Sequence, residues 1–206
     1  AANVLSGRSV TLRQSPNGSI QNAVSAVSSH SGANTTLLQL GDGIYNQSFY
    51  IKNKNFLTVK GNGADKTFIN APYTFSNVIV VENTVNNNIS DLSVSGGAVG
   101  INVLNSAGFS LNRSIISGAS QTGLQFKGVN NLSNSLNSVY LSTLSNNNIG
   151  INNSAAGAIS PLLYVSENKF SGNQIAINDS DSVYTYILRN NFQNNPKSVR
   201  FKNAVS

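Results

Sequence analysis

An all-β solenoid, a parallel β-helix of about seven coils with a short N-terminal capping helix, is the fold that this 206-residue sequence predicts. Two observations predict it. The first is a shared register in five segments: ISDLSVSGGAVGI, LNRSIISGASQTGL, VYLSTLSNNNIGI, VSENKFSGNQIAI and ILRNNFQNNPKSV. Each opens on an apolar residue: Ile89, Leu111, Val139, Val165 or Ile187. A second follows five places on (Val94, Ile116, Leu144, Phe170, Phe192), and a third lies at Ile101, Leu124, Ile151, Ile177 or Val199. The second observation is a Gly or Asn pair between the last two: Gly96-Gly97, Gly118-Ala119, Asn146-Asn147, Gly172-Asn173 and Asn194-Asn195.

Each segment carries too few apolar residues to bury a face alone. Stacked at about 4.8 Å per coil, like residues form inward columns and the backbones pair from coil to coil. Gly and Asn tolerate the positive φ that a sharp corner needs, and stacked Asn amides form hydrogen-bonded ladders. The Asn richness is therefore read first as corners and ladders, and only second as ligand contact.

Before the repeats, Ser9–Arg13 alternates like a strand and Ser15-Pro16-Asn17-Gly18 is a turn. From Ser19 to Val27, residues Ile20, Ala23, Val24 and Val27 share one helical face, with Ser19 as N-cap and Ser31-Gly32 as the expected stop. This helix is expected to plug the end of the solenoid, where core and strand edges would otherwise lie open. Strands follow at Leu37–Leu40, Phe49–Ile51, Leu57–Val59 and Thr67–Ile69, separated by Gly- and Asn-rich turns. The expected organisation is one domain, 1–206, with the strand and helix cap over 1–36, coils over 37–201 and a tail over 202–206. The last strand has no large cap after it, which leaves an edge open to strand addition. Whether the Ser9–Arg13 strand folds back or joins a neighbouring molecule stays open.

The order of strand, capping helix, Gly-x-Tyr turn and LTVKGNGADKTFI resembles the N-terminal start of right-handed parallel β-helix proteins of the pectin-lyase-like superfamily. GIYNQSFYI (43–51) is similar to the opening of the first full coil there, and KGNGADKTFI (60–69) to the crossing into the next. The resemblance implies a right-handed solenoid. It also brings the family's chemistry into view, and most of those motifs are missing. Pectin methylesterase-like enzymes use two Asp, an Arg and Gln residues on central coils, yet residues 92–166 contain no acid. The Asn-Thr-Asp triplet, Asp-Asp pair and His-Gly pair of polygalacturonase-like enzymes are absent. Only the region of Asp179 and Asp181 offers the clustered acids of a pectate-lyase-like calcium site.

Composition narrows the classes further. Only 10% of residues are charged, and there is no Cys, Met or Trp. Without cysteine there is no disulfide framework, thiol catalysis or Cys-ligated zinc. His30 is the one histidine, too few for a histidine metal cluster, and reads as a residue at the helix C-terminus. No apolar run reaches the 18 residues of a membrane span. Low charge with Asn, Ser and Thr richness points to an extracellular, cell-surface or virion-surface protein. The net charge of +6 is concentrated at the two ends. Such ends can be plain solubility or can attract polyanions. Nucleic acid is a poor match, since no dense basic run interleaves with aromatics.

Two outward columns follow from the register. Asp91, Arg113, Leu141, Glu167 and Arg189 read as an ion-pair ladder. Asn102, Gln125, Asn152, Asn178 and Arg200 form a regular amide face, read either as ladder bonding or as a contact surface for a glycan or another subunit. Tyr184 and Tyr186 join that contact set. Asp179 and Asp181, expected at the mouth of a turn beside Lys169 and Arg189, are the candidate catalytic group. They could hold Ca²⁺ and abstract a sugar C5 proton, or serve only as turn residues. The first functional expectation is a secreted, non-catalytic β-helix that forms or decorates a surface structure, as a filament subunit, an adhesin or a glycan-binding module, without a cofactor. Its partners would be its own copies or an extracellular polysaccharide. The alternative is a small lyase on acidic polysaccharide, with calcium.

Overall fold

The computed structural model describes residues 10–29, 35–74, 76–128, 136–154, 162–180 and 185–202. Strand β1 (Val10–Gln14) and helix α1 (Ile20–Ala26) precede the coils. The first coil is β2 (Thr36–Leu40), β3 (Gly43–Asn46) and β4 (Phe49–Lys52). The second is β5 (Leu57–Lys60), β6 (Thr67–Asn70) and β7 (Asn77–Glu82). The third is β8 (Asn88–Ser90), β9 (Ser93–Ser95) and β10 (Val99–Leu104). The fourth is β11 (Ser110–Asn112), β12 (Ile115–Ser117) and β13 (Thr122–Lys127). The fifth is β14 (Asn137–Tyr140), β15 (Thr143–Ser145) and β16 (Ile149–Ser154). The sixth is β17 (Leu163–Ser166), β18 (Lys169–Ser171) and β19 (Ile175–Ser180). The seventh is β20 (Thr185–Leu188), β21 (Asn191–Gln193) and β22 (Lys197–Lys202).

Like strands stack into three parallel sheets. The first holds β1, β2, β5, β8, β11, β14, β17 and β20. The second runs from β3 to β21 and the third from β4 to β22. The result is a right-handed parallel β-helix. Seven layers are separated by six coil-to-coil turns, a stack about 29 Å long at about 4.8 Å per step. Gly43-Ile44-Tyr45, expected as a Gly-x-Tyr turn, lies in a strand because Tyr45 turns inward beneath Ile69 in the next coil.

The three apolar positions of the repeat are the three inward columns. Ile89, Leu111, Val139, Val165 and Ile187 are paired coil to coil in the first sheet. Val94, Ile116, Leu144, Phe170 and Phe192 line the second. Ile101, Leu124, Ile151, Ile177 and Val199 line the third. Up to the sixth coil all of them are fully buried, and each fully buried side chain of this size stabilises by about 1.5–3 kcal/mol.

From the third coil to the seventh, two consecutive residues make the corner between the first and second sheets. The first of them is Asp91, Arg113, Leu141, Glu167 or Arg189, all with φ between 45° and 57°. These residues sit at corners, not on the sheet face that the sequence suggested, because the chain must reverse its pleat there. The ion pairs form nonetheless. Arg113 donates from Nε to Asp91 Oδ1 at 2.7 Å and from Nη2 to Oδ2 at 2.9 Å, and Arg189 lies 3.7 Å from Glu167. The bidentate contact with Arg113 holds the Asp91 carboxyl below the usual carboxylate range. The second residue points inward and bonds along the axis. Ser142 N–H donates to Asn168 Oδ1 (3.0 Å) and Asn168 N–H to Asn190 Oδ1 (2.9 Å).

The corner between the second and third sheets repeats the device. Gly118, Asn146, Gly172 and Asn194 take positive φ. Behind them the N–H groups of Ala119, Asn147 and Asn173 donate to the Oδ1 of Asn147, Asn173 and Asn195, at 3.0, 3.0 and 2.9 Å. Asn173 Nδ2 also donates to the Leu144 carbonyl at 2.9 Å. Buried amides thus satisfy the backbone groups that a corner takes out of the sheets.

At the N-terminal end Ser19 accepts from the Asn22 N–H and caps α1, which buries Ile20 and Val24. The helix stops at Ala26, earlier than expected, because Val27 turns extended and buries itself; its β-branch favours that conformation. The expected stop at Ser31-Gly32, and His30, lie outside the described residues. Gln21 accepts from the Tyr50 N–H at 2.8 Å and donates to its carbonyl at 3.3 Å, so one side-chain amide replaces the missing neighbour of β4. Strand β1 pairs in parallel with β2 of its own chain, which answers whether it folds back.

Replacing Asn173 with Ala orphans the Asn147 N–H and the Leu144 carbonyl, and should lower unfolding stability by about 1–3 kcal/mol per orphaned group, read from urea midpoints. Replacing Asp91 with Asn should lower the melting temperature slightly at neutral pH. The depressed carboxyl stabilises above its unfolded pKa of about 3.9, so the difference from the unsubstituted protein should fade as pH falls through the lower folded value.

Candidate glycan-contact face

In the first sheet the residues flanking the inward column of Val59, Ile89, Leu111, Val139, Val165 and Ile187 lie on the outer side. One outward column is Asn88, Ser110, Ser138, Tyr164 and Tyr186. The other is Gln39, Lys60, Ser90, Asn112, Tyr140, Ser166 and Leu188. The lower coils are polar. Asn112 donates to Asn88 Oδ1 at 2.7 Å and Ser138 to Ser110 at 3.1 Å. The upper coils are aromatic: Tyr164 and Tyr186 sit directly opposite each other, and Tyr140 lies one coil below on the neighbouring column. Tyr186 is 52% exposed, with Leu188 beside it at 48% and Leu141 at the nearby corner at 50%.

Below this stripe, at the polar end, lies a cleft of about 250 Å³ lined by Gln39, Lys60, Gly61, Asn62 and Asp91. Its walls are tied together. Gln39 donates to Asn62 Oδ1 at 2.8 Å and to the Gly61 carbonyl at 3.1 Å, and Asn62 donates to Asp42 at 2.7 Å. Lys60 and Leu188 share one column five steps apart, so cleft and stripe span about 24 Å along the axis. Ser90, Asn112 and Ser166 are buried, so what this face offers a ligand is the half-buried Asn88, Ser110 and Ser138, leading up to the rings. Tyrosine offers an apolar face and a polar tip to one ligand, and a sugar ring also carries apolar C–H faces and polar edges.

The residues singled out from sequence fall elsewhere or only partly here. Tyr186 is on this face, whereas Tyr184 and Asp181 lie outside the described residues. Asn102, Gln125, Asn152, Asn178 and Arg200 do form one column, on the third sheet. Its upper part is internally bonded: Asn178 Nδ2 donates to Asn152 Oδ1 and Arg200 Nε to Asn178 Oδ1, both at 2.6 Å. Asn178 is buried, so it offers little to a ligand. Asp179 is not at the mouth of a turn. It lies within β19, is 4% exposed and points into the solenoid, where Asn153 Nδ2 donates to its Oδ1 at 3.0 Å. Alternation along β19 sends it inward with Ile177. Lys169 is exposed on the second sheet and Arg189 at a corner. These groups do not converge. Among the described residues, no three His, Cys, Asp or Glu side chains gather to hold a metal.

Of the stripe, Tyr186 is expected from sequence and Tyr140 and Tyr164 are not, although the register carries their signal. Val139, Val165 and Ile187 were already aligned, and Tyr140, Tyr164 and Tyr186 are their immediate neighbours.

No protein-family model matches the sequence, and no curated protein matches it. Solved structures do match in shape. An alginate lyase from Paenibacillus sp. str. FPU-7 aligns with a TM-score of 0.62 at 13% identity, over 91% of this chain and 75% of that one. A pectin methylesterase mutant in complex with a hexasaccharide aligns at 0.53 and 11% identity, over 83% and 70%. Pectin methylesterase PemA from Erwinia chrysanthemi aligns at 0.53 and 11%, over 86% and 71%. Identities this low speak for architecture alone, and on architecture they agree with the strand order: the chain folds as a parallel β-helix.

Proposed function

We propose that this protein binds an extended polysaccharide along the outer face of its first sheet, without catalysis, as a glycan-binding module of an extracellular surface structure. The observation that carries this reading is the alignment of Tyr140, Tyr164 and Tyr186 across three successive coils, on the same sheet as a polar cleft in the first three coils. Rings spaced by one coil step suit a repeating ligand laid along the axis. The fold likeness to alginate- and pectin-acting enzymes supports a carbohydrate ligand, although a fold does not by itself carry an activity. The inward turn of Asp179 and the scatter of Lys169 and Arg189 support binding over the lyase alternative.

Affinity electrophoresis through gels containing a neutral β-glucan, xylan, alginate or polygalacturonate tests the proposal. Retardation in at least one gel is expected. Replacing Tyr140, Tyr164 or Tyr186 with Ala should each weaken that binding about 2- to 10-fold, the equivalent of about 0.5–1.5 kcal/mol per ring. Retardation unchanged in all three variants would remove the stripe from the site. Unsaturated products from a polyuronate, lost on replacing Asp179 with Asn while the fold survives, would restore the lyase alternative.

A further inference from the structure

The first sheet differs from the other two in charge. From the third coil to the seventh its two outward columns run from Asn88 to Tyr186 and from Ser90 to Leu188, and no position on either is Lys, Arg, Asp or Glu. The protein does not lack basic residues to put there. Its net charge is +6, and strand cations of these coils stand on the other sheets: Lys169 on the second, and Lys127, Lys197 and Arg200 on the third.

The charges beside this face are matched. Arg113 donates to both oxygens of Asp91, at 2.7 and 2.9 Å, and Arg189 stands 3.7 Å from Glu167. Lys60, lower on the sheet, lines the cleft together with Asp91. The segments 129–135, 155–161 and 181–184, which lead into strands of this sheet, hold one charged residue in their sequence, the acid Asp181. The excess of base is thus kept away from the tyrosine stripe.

That distribution bears on the ligand. A polyuronate carries a carboxylate on every sugar. Laid along this face, it would press carboxylates against rings and hydroxyls where, among the described residues, no unmatched cation meets them, and a desolvated charge without a partner is costly. Glu167, whose side chain is 49% exposed, would add repulsion at the edge. An uncharged sugar meets neither cost. Its C–H faces can cover the rings and the neighbouring Leu141 and Leu188, which are 50% and 48% exposed. Its hydroxyls both donate and accept, as do those of Ser110, Ser138 and the tyrosines. We infer that the outer face of the first sheet selects uncharged polysaccharide over polyuronate. The inference rests on the glycan-binding reading above and narrows its ligand to one chemical class. Selection then comes from what an acidic chain loses here as much as from what a neutral one gains.

Matched polymers test this, because each pair keeps its backbone and changes its charge: hydroxyethyl cellulose with carboxymethyl cellulose, unsubstituted xylan with glucuronoxylan, and highly methyl-esterified galacturonan with polygalacturonate. Isothermal titration of the whole protein gives a Kd for each. At least one uncharged member should bind at least about tenfold more tightly than its carboxylated partner. Its Kd should change less than about twofold between about 0.05 and about 0.5 M NaCl. Ser138→Arg, which places a cation on the half-buried column, should narrow the difference within that pair at least about threefold. Equal or tighter binding of the carboxylated members, still weakened by Tyr164→Ala, would overturn the selectivity and leave the glycan face standing. Binding of no member of any pair would overturn both.

Discussion

From the third coil on, the chain turns from the first sheet into the second within two residues and from the second into the third within three or four, and everything else in the molecule depends on how those corners are satisfied. A corner removes backbone groups from the parallel ladder and brings them toward the core, where water is absent. The protein answers with one residue in the left-handed conformation and one buried amide or hydroxyl behind it. At the second-to-third corner the pattern is complete in Asn147, Asn173 and Asn195, each accepting from the N–H one coil below. At the first-to-second corner serine and asparagine share the task. Only when both corners repeat in register can the three apolar columns stack, so the polar ladders specify the alignment that the hydrophobic core then stabilises.

With the interior committed in this way, variation is left to the outward positions. The first sheet uses them for a transition from hydroxyls and amides to tyrosines. The third uses them for an amide column whose upper members bond to one another. The same alternation explains why Asp179 turns inward and not to the mouth of a turn: a strand of period two has no intermediate direction, and its neighbours Ile177 and Asn178 fix which side it takes. Function on such a scaffold belongs to columns rather than to clusters.

Fold and site were unequally legible. The repeat was readable because Ile89, Leu111, Val139, Val165 and Ile187 recur with Gly or Asn at a constant offset, and sheet register follows from that offset directly. Helix α1 was readable from Ser19 and the spacing of Ile20, Val24 and Val27, but its end was not, since Val27 gains more from burial than from another helical bond. Corner residues such as Arg113 and Glu167 looked like strand positions because charge pairs also mark exposed strands, and nothing local announces positive φ in an arginine. Tyr186 was legible as a contact residue, but its grouping with Tyr140 and Tyr164 was not. They lie 22 to 24 residues apart, on two columns, and only the coil geometry reveals that they are neighbours.

A stacked architecture opens from its ends, because each layer is held only by the layers next to it. Among the described residues the seventh coil is held by the sixth alone, and its inward Ile187, Phe192 and Val199 are only partly buried, so it is the least firmly held layer of those described. Tyr186 rides on that layer, while Tyr164 and Tyr140 ride on the two beneath it. A ligand lying across all three rings would therefore act as a staple as well as a guest, tying the loosest layer to the firm interior and coupling occupancy of the face to the order of the tip.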